Sequence, residues 1–323
     1  MHAALVTSFD HPPRYGEVSE PEPDGDAQVV DVLAAALHPR VRSQADGSHY
    51  TSDGELPLIP GIDGVARLAD GSLAYFVAAD RAPGTMAERT LLDPRRSVPL
   101  AAGVDVAAIA AGMNPGMSSW VGLRRRAGLE AGQSVLVLGA TGNAGQMAVQ
   151  IAKHLGAGSV IAAGRHRGRL DGLAKLGADR VVSLDRGESS IAELGEAASE
   201  VDVVIDYLWG PPSEKAIPAI VRRRRERARA LKWIQIGAVA GPDVALPSAA
   251  LRAANLQIMG SGQGSVTAAG IVAELPALAA QIDAGAFSVN ARTAALAEVE
   301  KIWNAPTAAG ERIVLLPDSE RGR

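Results

Sequence analysis

At 323 residues the chain is too long for one ordinary core and suits two domains, each able to bury a substantial apolar interior. Its 32 basic and 36 acidic residues leave a formal net charge of -4, which gives no long-range attraction for nucleic acid or an anionic membrane and fits a small neutral or anionic-tailed substrate better. Cysteine is absent, which excludes thiolate nucleophiles, disulfides and four-cysteine structural zinc sites.

In chain order, His2 to Thr7 is a short β-type run, and Pro12, Pro13, Pro21 and Pro23 break the next stretch into extended pieces and turns. The first ten residues lack a basic stretch followed by an apolar core, and no segment approaches the roughly 20 apolar residues that cross a bilayer, so the expectation is a cytoplasmic protein without a membrane partner. Val29 to Leu37 reads as a strand, and Asp70-Gly71, between Val65-Ala66-Arg67-Leu68 and Ser72 to Val77, is a hairpin signal. From Trp120 the texture changes. A helix closing on Arg124-Arg125-Arg126 leads through Gly128 and Gly132 into the apolar strand Ser134 to Leu138. Strands and helices then alternate: Val160 to Ala163, a helix around Leu170 to Leu176, Val181 to Leu184, Val201 to Ile205, a basic helix near Ile217 to Leu231, and Trp233 to Ile236. This alternation predicts a parallel sheet with helices on both faces. The closing segment reads as helices Ala268 to Ala284 and Leu296 to Asn304, a strand Arg312 to Leu316, and a frayed polar tail from Asp318.

The most informative stretch runs from Val135 to Val149, a buried strand, a tight turn and a helix start. Gly139-Ala140-Thr141-Gly142-Asn143-Ala144-Gly145 is a dinucleotide-binding fingerprint with Ala140 at the first glycine. Gly142 lets the backbone approach a pyrophosphate, Gly145 lets the helix pack closely on the strand, and the helix start offers unpaired N–H groups to the anion. At the end of the next strand an NAD enzyme places an acid for the ribose 2′-hydroxyl, whereas this chain has Gly164-Arg165-His166-Arg167-Gly168-Arg169. A guanidinium pairs bidentately with a 2′-phosphate, so Arg165 and, behind it, Arg169 point to NADPH; the plain alternative is a solvated run of arginines.

Together with Pro57 to Gly64, Gly84-Thr85-Met86-Ala87-Glu88, Gly116-Met117-Ser118-Ser119-Trp120, Leu176-Gly177-Ala178-Asp179 and Ile236-Gly237-Ala238, these residues resemble the zinc-free quinone oxidoreductase branch of the medium-chain dehydrogenase/reductase superfamily over nearly the whole chain. The resemblance implies an α/β protein with a GroES-like β-rich catalytic domain, residues 1–115 and 255–323, and a Rossmann domain with a doubly wound parallel sheet, residues 116–254, enclosing a water-poor cleft where hydride passes from nicotinamide to substrate. It also implies a homodimer joined along the Rossmann-domain edges. The catalytic-zinc positions of relatives align with His38, Ile62 and Asn114, which cannot assemble the usual three ligands. The family's glycine-aspartate-arginine-valine turn is missing, His38 replaces its asparagine, and Ser183-Leu184-Asp185 stands where a tyrosine is common.

A conjugated carbonyl needs a hydride donor, a hydrogen bond to its oxygen and a proton for the enolate or phenolate formed. Tyr50 and His38 are the candidates for that bond and proton. For the cofactor the resemblance nominates Asn114, Ser118, Gly237, Ala238 and, on the domain-crossing loop, Gly262. The leading expectation is an NADPH-dependent reductase of a quinone or another α,β-unsaturated carbonyl; an enoyl-thioester or biosynthetic enone reductase shares every motif. The run Arg222-Arg223-Arg224-Arg225 with Arg227 and Arg229 raises a different class, a non-catalytic NADPH-binding redox sensor or RNA-binding protein, but it lacks interleaved aromatics and reads first as a solvated helix face.

Overall fold

The computed structural model describes residues 1–317 apart from 24, 50, 51, 53, 80, 81, 263 and 309. The chain divides into two compact units: Met1–Asn114, Ala268–Gly285 and the chain from Val289 form the first, Pro115–Thr267 with Ala286–Ser288 the second.

The first unit is built on strands β1 (His2–Leu5), β2 (Arg14–Glu17), β3 (Gln28–Leu37), β4 (Asp63–Arg67), β5 (Leu73–Val77), β6 (Arg89–Leu92) and β7 (Ser97–Leu100), with helix α1 (Pro39–Ala45) after β3. The β4–β5 hairpin forms where Asp70-Gly71 places it: Gly71 takes φ +85°, and the Ser72 N–H and hydroxyl both donate to Asp70 Oδ1. Along β3, Val30 and Val32 point inward around exposed Asp31, and from Ala34 onward both faces are buried, which suits its central place in the sheet.

Helix α2 (Val106–Val121) contains the division between the units. The second unit continues through a π-helical turn, Gly122–Ala127, into β8 (Ser134–Leu138), α3 (Asn143–His154), β9 (Ser159–Gly164), α4 (Arg167–Leu170), β10 (Arg180–Ser183), α5 (Glu188–Ala197), β11 (Val203–Asp206), α6 (Gly210–Arg223), β12 (Leu231–Gln235), α7 (Ser248–Ala253) and β13 (Leu256–Gly260). All six strands are parallel, in the order β10-β9-β8-β11-β12-β13, so the winding reverses between β8 and β11. Leu136, Leu138, Val204 and Trp233 on one face of this sheet close a core with Leu194 of α5 and Ile217 and Ile220 of α6. The chain then returns to the first unit as α8 (Ala268–Val272), α9 (Leu275–Asp283), β14 (Asn290–Ala295), α10 (Val299–Ile302) and β15 (Glu311–Leu316), and the sheet there runs β14-β15-β3-β4-β5-β7 with β6 on β3.

Several sequence expectations need correction. The helix expected around Leu170 to Leu176 is α4 plus a 3₁₀ turn, and the one at Ala268 to Ala284 is two helices, with Pro276 in the first turn of the second. Leu296 to Asn304 is a 3₁₀ turn followed by the short α10. The expected domain boundary at Asn255 falls just before β13, which pairs with β12 and lies in the second unit. The tail from Asp318 lies outside the described residues.

The basic helix starts earlier and stops sooner than expected. Pro211 and Pro212 fit its first turn, and the chain leaves it at Arg224, whose backbone is extended. Arg222 and Arg223 are exposed, but Arg224 is 2% exposed and its guanidinium donates to the carbonyls of Ser199, Val201, Arg229 and Ala230. The run is therefore not one solvated face. Arg224→Leu orphans four carbonyl acceptors and is expected to cost about 2–4 kcal/mol in urea unfolding, against less than about 0.5 kcal/mol for Arg222→Ala.

Candidate functional site

Strand β8 is buried along Val135 to Leu138, and the chain turns out of it at Gly139, φ +85°. The N–H groups of Gly139 and Ala140 both donate to Ala163 O, at 2.9 and 3.0 Å, so the turn is tied to β9. The left-handed residue is Gly139, one place before the fingerprint's first position; Ala140 itself is fully buried. A Cβ on Gly145 would lie 2.3 Å from Gly139 O and 2.6 Å from Ala140 Cα, so only glycine lets α3 start this close to the strand. At Gly142 a Cβ would meet only Gly139 O, at 3.6 Å, leaving open space in front of the turn. The N–H groups of Ala144 and Gly145 make no backbone hydrogen bond among the described residues. Open space and free N–H groups at the start of a twelve-residue helix fit the pyrophosphate of a dinucleotide.

Beside this turn, Thr141 stands so close to Gly164 at the end of β9 that a Cβ there would lie 2.7 Å from its methyl group. Of the arginines that follow, Arg167 donates to Asp185 Oδ2 at 2.7 Å. Arg165, exposed, and Arg169, half-buried, form no side-chain hydrogen bond or ion pair among the described residues.

The end of β11 supplies residues that the sequence reading missed. Asp206 is fully buried; its Oδ1 accepts from Leu208 N and Trp209 N at 2.8 and 3.0 Å, and its Oδ2 from Ser213 Oγ and Trp233 Nε1 at 2.6 and 2.9 Å. Its backbone carbonyl takes the N–H groups of Ile236 and Gly237, and Leu208 O takes that of Ala240, so the turns after β11 and β12 are stitched into one body. A Cβ on Gly237 would strike Tyr207 O at 2.8 Å. Tyr207 N donates to Leu138 O across the point where the winding reverses, and its phenol lies 2.9 Å from Ser118 Oγ. Ser118 spends its own proton on Pro115 O, so the phenol is the donor; burial pushes its pKa up to about 12 against the pull of Ser118 and Ser119. The one sequence signal for this cluster was an aspartate closing an apolar strand.

The structure therefore brings Ser118, Ala140, Thr141, Gly142, Asn143, Ala144, Gly145, Gly164 and Gly237 to the carboxyl edge of the parallel sheet, where ligands of doubly wound sheets bind. Exposed Ala238 and Gly262 lie on the turns beyond β12 and β13 at the same edge.

In the first unit His38 precedes α1 in extended conformation, with Pro39 starting the helix. Its side chain is buried, with Nε2 2.9 Å from Asp63 Oδ1, while the Tyr75 phenol donates to Asp63 Oδ2 at 2.7 Å. Burial holds the His38 imidazole below its ordinary pKa despite the Asp63 carboxylate. Burial and then the Asp63 charge keep the Tyr75 phenol protonated, and burial lowers Arg312 to about 10, leaving it a cation that favours the Asp63 charge. Neutral His38 thus donates Nε2–H to Asp63. Asn114 is half-buried in α2, and Tyr50 lies outside the described residues.

Because the unfolded imidazole binds a proton near 6.5 and the folded one resists it, the unfolded state holds more protons just below that pH. Stability contributed by neutral His38 is present above pH 6.5 and lost as pH falls below it, by up to about 1.4 kcal/mol per pH unit. His38→Asn is expected to flatten the melting temperature between pH 6.5 and 5 relative to the parent, and an unchanged slope would contradict a neutral His38.

Of the three positions aligned with catalytic zinc ligands, His38 is committed to Asp63, Ile62 offers no donor, and Asn114 is a weak one. No group of three or more His, Asp or Glu side chains arranged to hold a metal ion occurs among the described residues.

A family model described as zinc-binding dehydrogenase matches residues 144–282. The chain is 32% identical to the probable NADPH-dependent quinone reductase tdiC of Emericella nidulans, over 98% of this chain and 100% of that one. It is 28% identical to the 2-methylene-furan-3-one reductase of Solanum lycopersicum, over 63% of this chain and 54% of that protein. Among solved structures, the quinone oxidoreductase from Thermus thermophilus, also described in complex with NADPH, has the same fold, with a TM-score of 0.79 over 98% of this chain and 100% of that one at 22% identity.

Proposed function

The chain belongs to the medium-chain dehydrogenase/reductase superfamily, in its quinone-reductase-like branch, and on that premise we propose that it is an NADPH-dependent oxidoreductase acting on a quinone or another α,β-unsaturated carbonyl. The observation that carries the reading is the phosphate cradle at Gly139 to Gly145, followed after β9 by two unpaired arginines and no acid. NADPH, when bound, supplies the hydride. The helix start at Ala144 and Gly145 holds the pyrophosphate, and Arg165 with Arg169 pairs with the 2′-phosphate. Ser118, its proton spent on Pro115 O and one lone pair taken by Tyr207, has a second lone pair left for a donor such as the nicotinamide carboxamide. Neutral His38, with Nε2–H on Asp63, keeps only an acceptor lone pair at Nδ1 and is no proton source at neutral pH, which leaves Tyr50 as the donor to the substrate oxygen.

The same reading assigns the first unit as the GroES-like catalytic domain and the second as the Rossmann domain, and needs no zinc. It places the protein in the cytoplasm, consistent with the absence, among the described residues, of any helix long and apolar enough to cross a membrane. It makes the protein a homodimer through β13, the strand at the end of the parallel sheet. A net charge of -4 argues against a nucleic-acid partner. NADPH oxidation at 340 nm with a panel of quinones and enones tests the reading. Turnover with some member is expected; none across the panel, by protein that binds NADPH, would refute the reductase assignment.

A further inference from the structure

Tyr207, the first residue after β11, sets a phenol at the point where the winding of the parallel sheet reverses. Its main chain is fixed on both sides: Tyr207 N donates to Leu138 O at the end of β8, and Tyr207 O takes the N–H of Val239 beyond β12. Gly139 and Gly237 make room for it, since a Cβ on the first would lie 3.2 Å from Tyr207 Cβ and one on the second 2.8 Å from Tyr207 O. From this seat the buried side chain reaches α2, 89 residues earlier in the chain, where its hydroxyl lies 2.9 Å from Ser118 Oγ. Ser118 Oγ donates to Pro115 O at 2.9 Å and Ser119 Oγ to Gly116 O at 3.2 Å, so both serine protons are spent on helix carbonyls and the phenol donates to Ser118. Ser118 is half-buried and forms no other hydrogen bond among the described residues. A free hydroxyl donates or accepts by rotation, but this one keeps one lone pair and has no proton to offer.

We infer that Tyr207 is a positioning residue that sets specificity at the nicotinamide: by holding Ser118 as an acceptor, it makes the site select a dinucleotide whose ring substituent carries an N–H and disfavour one whose substituent only accepts. The inference rests on the NADPH reading. A doubly wound sheet binds a dinucleotide across the reversal of winding, one nucleotide over each half. The phosphate turn after β8 and Arg165 after β9 claim the adenosine for the half made of β8 to β10, so the nicotinamide falls to the half that β11 opens, where Tyr207 stands. The carboxamide carries the only N–H groups of that nucleotide, whereas its ribose hydroxyls can turn to suit either partner and are not selected by an acceptor. An acetyl group matches the carboxamide in size and keeps its oxygen but lacks the N–H, so the Ser118 lone pair would face a methyl group or a second lone pair.

The test compares parent, Tyr207→Phe, Ser118→Ala and the double variant by calorimetric titration with NADP⁺ and with its 3-acetylpyridine analogue. The parent is expected to bind NADP⁺ about five- to tenfold more tightly than the analogue, the worth of one hydrogen bond. Tyr207→Phe keeps the ring and frees the serine hydroxyl to turn its proton toward the acetyl oxygen, so the ratio should fall to about twofold or less. Ser118→Ala should lower the ratio likewise, and the double variant should lose nothing further, because Tyr207 acts through Ser118. A parent that binds NADP⁺ without discriminating, a ratio untouched in Tyr207→Phe, or losses that add in the double variant would overturn the inference while leaving the NADPH reading intact. Should Tyr207→Phe not fold, a ratio retained in Ser118→Ala overturns it alone. If the parent binds neither dinucleotide, the cofactor reading itself fails and takes this one with it.

Discussion

Asp206→Ala is expected to destabilise the second unit by about 3–5 kcal/mol, among the largest effects of any single substitution in this protein. The carboxylate is buried and holds four donors, two of them backbone N–H groups that cannot turn elsewhere and one the indole of fully buried Trp233. Truncation leaves these donors unpaired in a low-dielectric interior, at about 1–3 kcal/mol each less whatever the Ser213 hydroxyl recovers by rotating. Asp206→Asn should cost less, because its carbonyl oxygen still takes the Leu208 and Trp209 amides while its NH₂ group opposes the Trp233 N–H. Urea unfolding followed by tryptophan fluorescence would measure both. An alanine variant within about 1 kcal/mol of the parent would mean that the clamp is not what holds the turns after β11 and β12 together.

This clamp also marks the limit of what the sequence discloses. The phosphate turn was legible because its chemistry is mostly local: an apolar strand, three glycines and a helix start lie within twelve consecutive residues, and Gly142 and Gly145 answer to contacts inside the same stretch, while only Gly139 is set against distant Tyr207 and Leu208. The hairpin at Asp70-Gly71 was legible for the same reason. Asp206 and Asp63 were not, because their side-chain partners lie 7 and 27 residues away and 12 and 25 residues away, and nothing in an isolated Val-Ile-Asp or Ile-Asp-Gly says which of these donors the fold will bring. Arg224 was misread because four adjacent arginines look alike until the helix ends between the second and third. β13, with partly exposed residues throughout, carries too little apolar alternation to be recognised without its neighbour β12.

The cofactor assignment turns on Arg165, and its removal is expected to erase most of the preference for NADPH over NADH. In a titration followed by tryptophan fluorescence, Arg165→Ala should weaken NADPH about 10- to 30-fold, the worth of one charge-assisted contact of about 1.5–2 kcal/mol, and leave NADH nearly unchanged because the 2′-hydroxyl makes no such demand. Arg167→Ala should have a smaller effect, since that guanidinium is already engaged by Asp185, while Arg169→Ala should add to the loss as the second unpaired cation. Arg165→Asp takes the argument further: it places at the end of β9 the acid that accepts a ribose 2′-hydroxyl, repels the phosphate, and is expected to reverse the preference outright. The discrimination lost should shrink with added salt, as befits an exposed guanidinium. Equal affinity for the two cofactors in the parent would remove the 2′-phosphate role from Arg165, and would leave the cradle at Gly139 to Gly145 as a dinucleotide site without a phosphate preference.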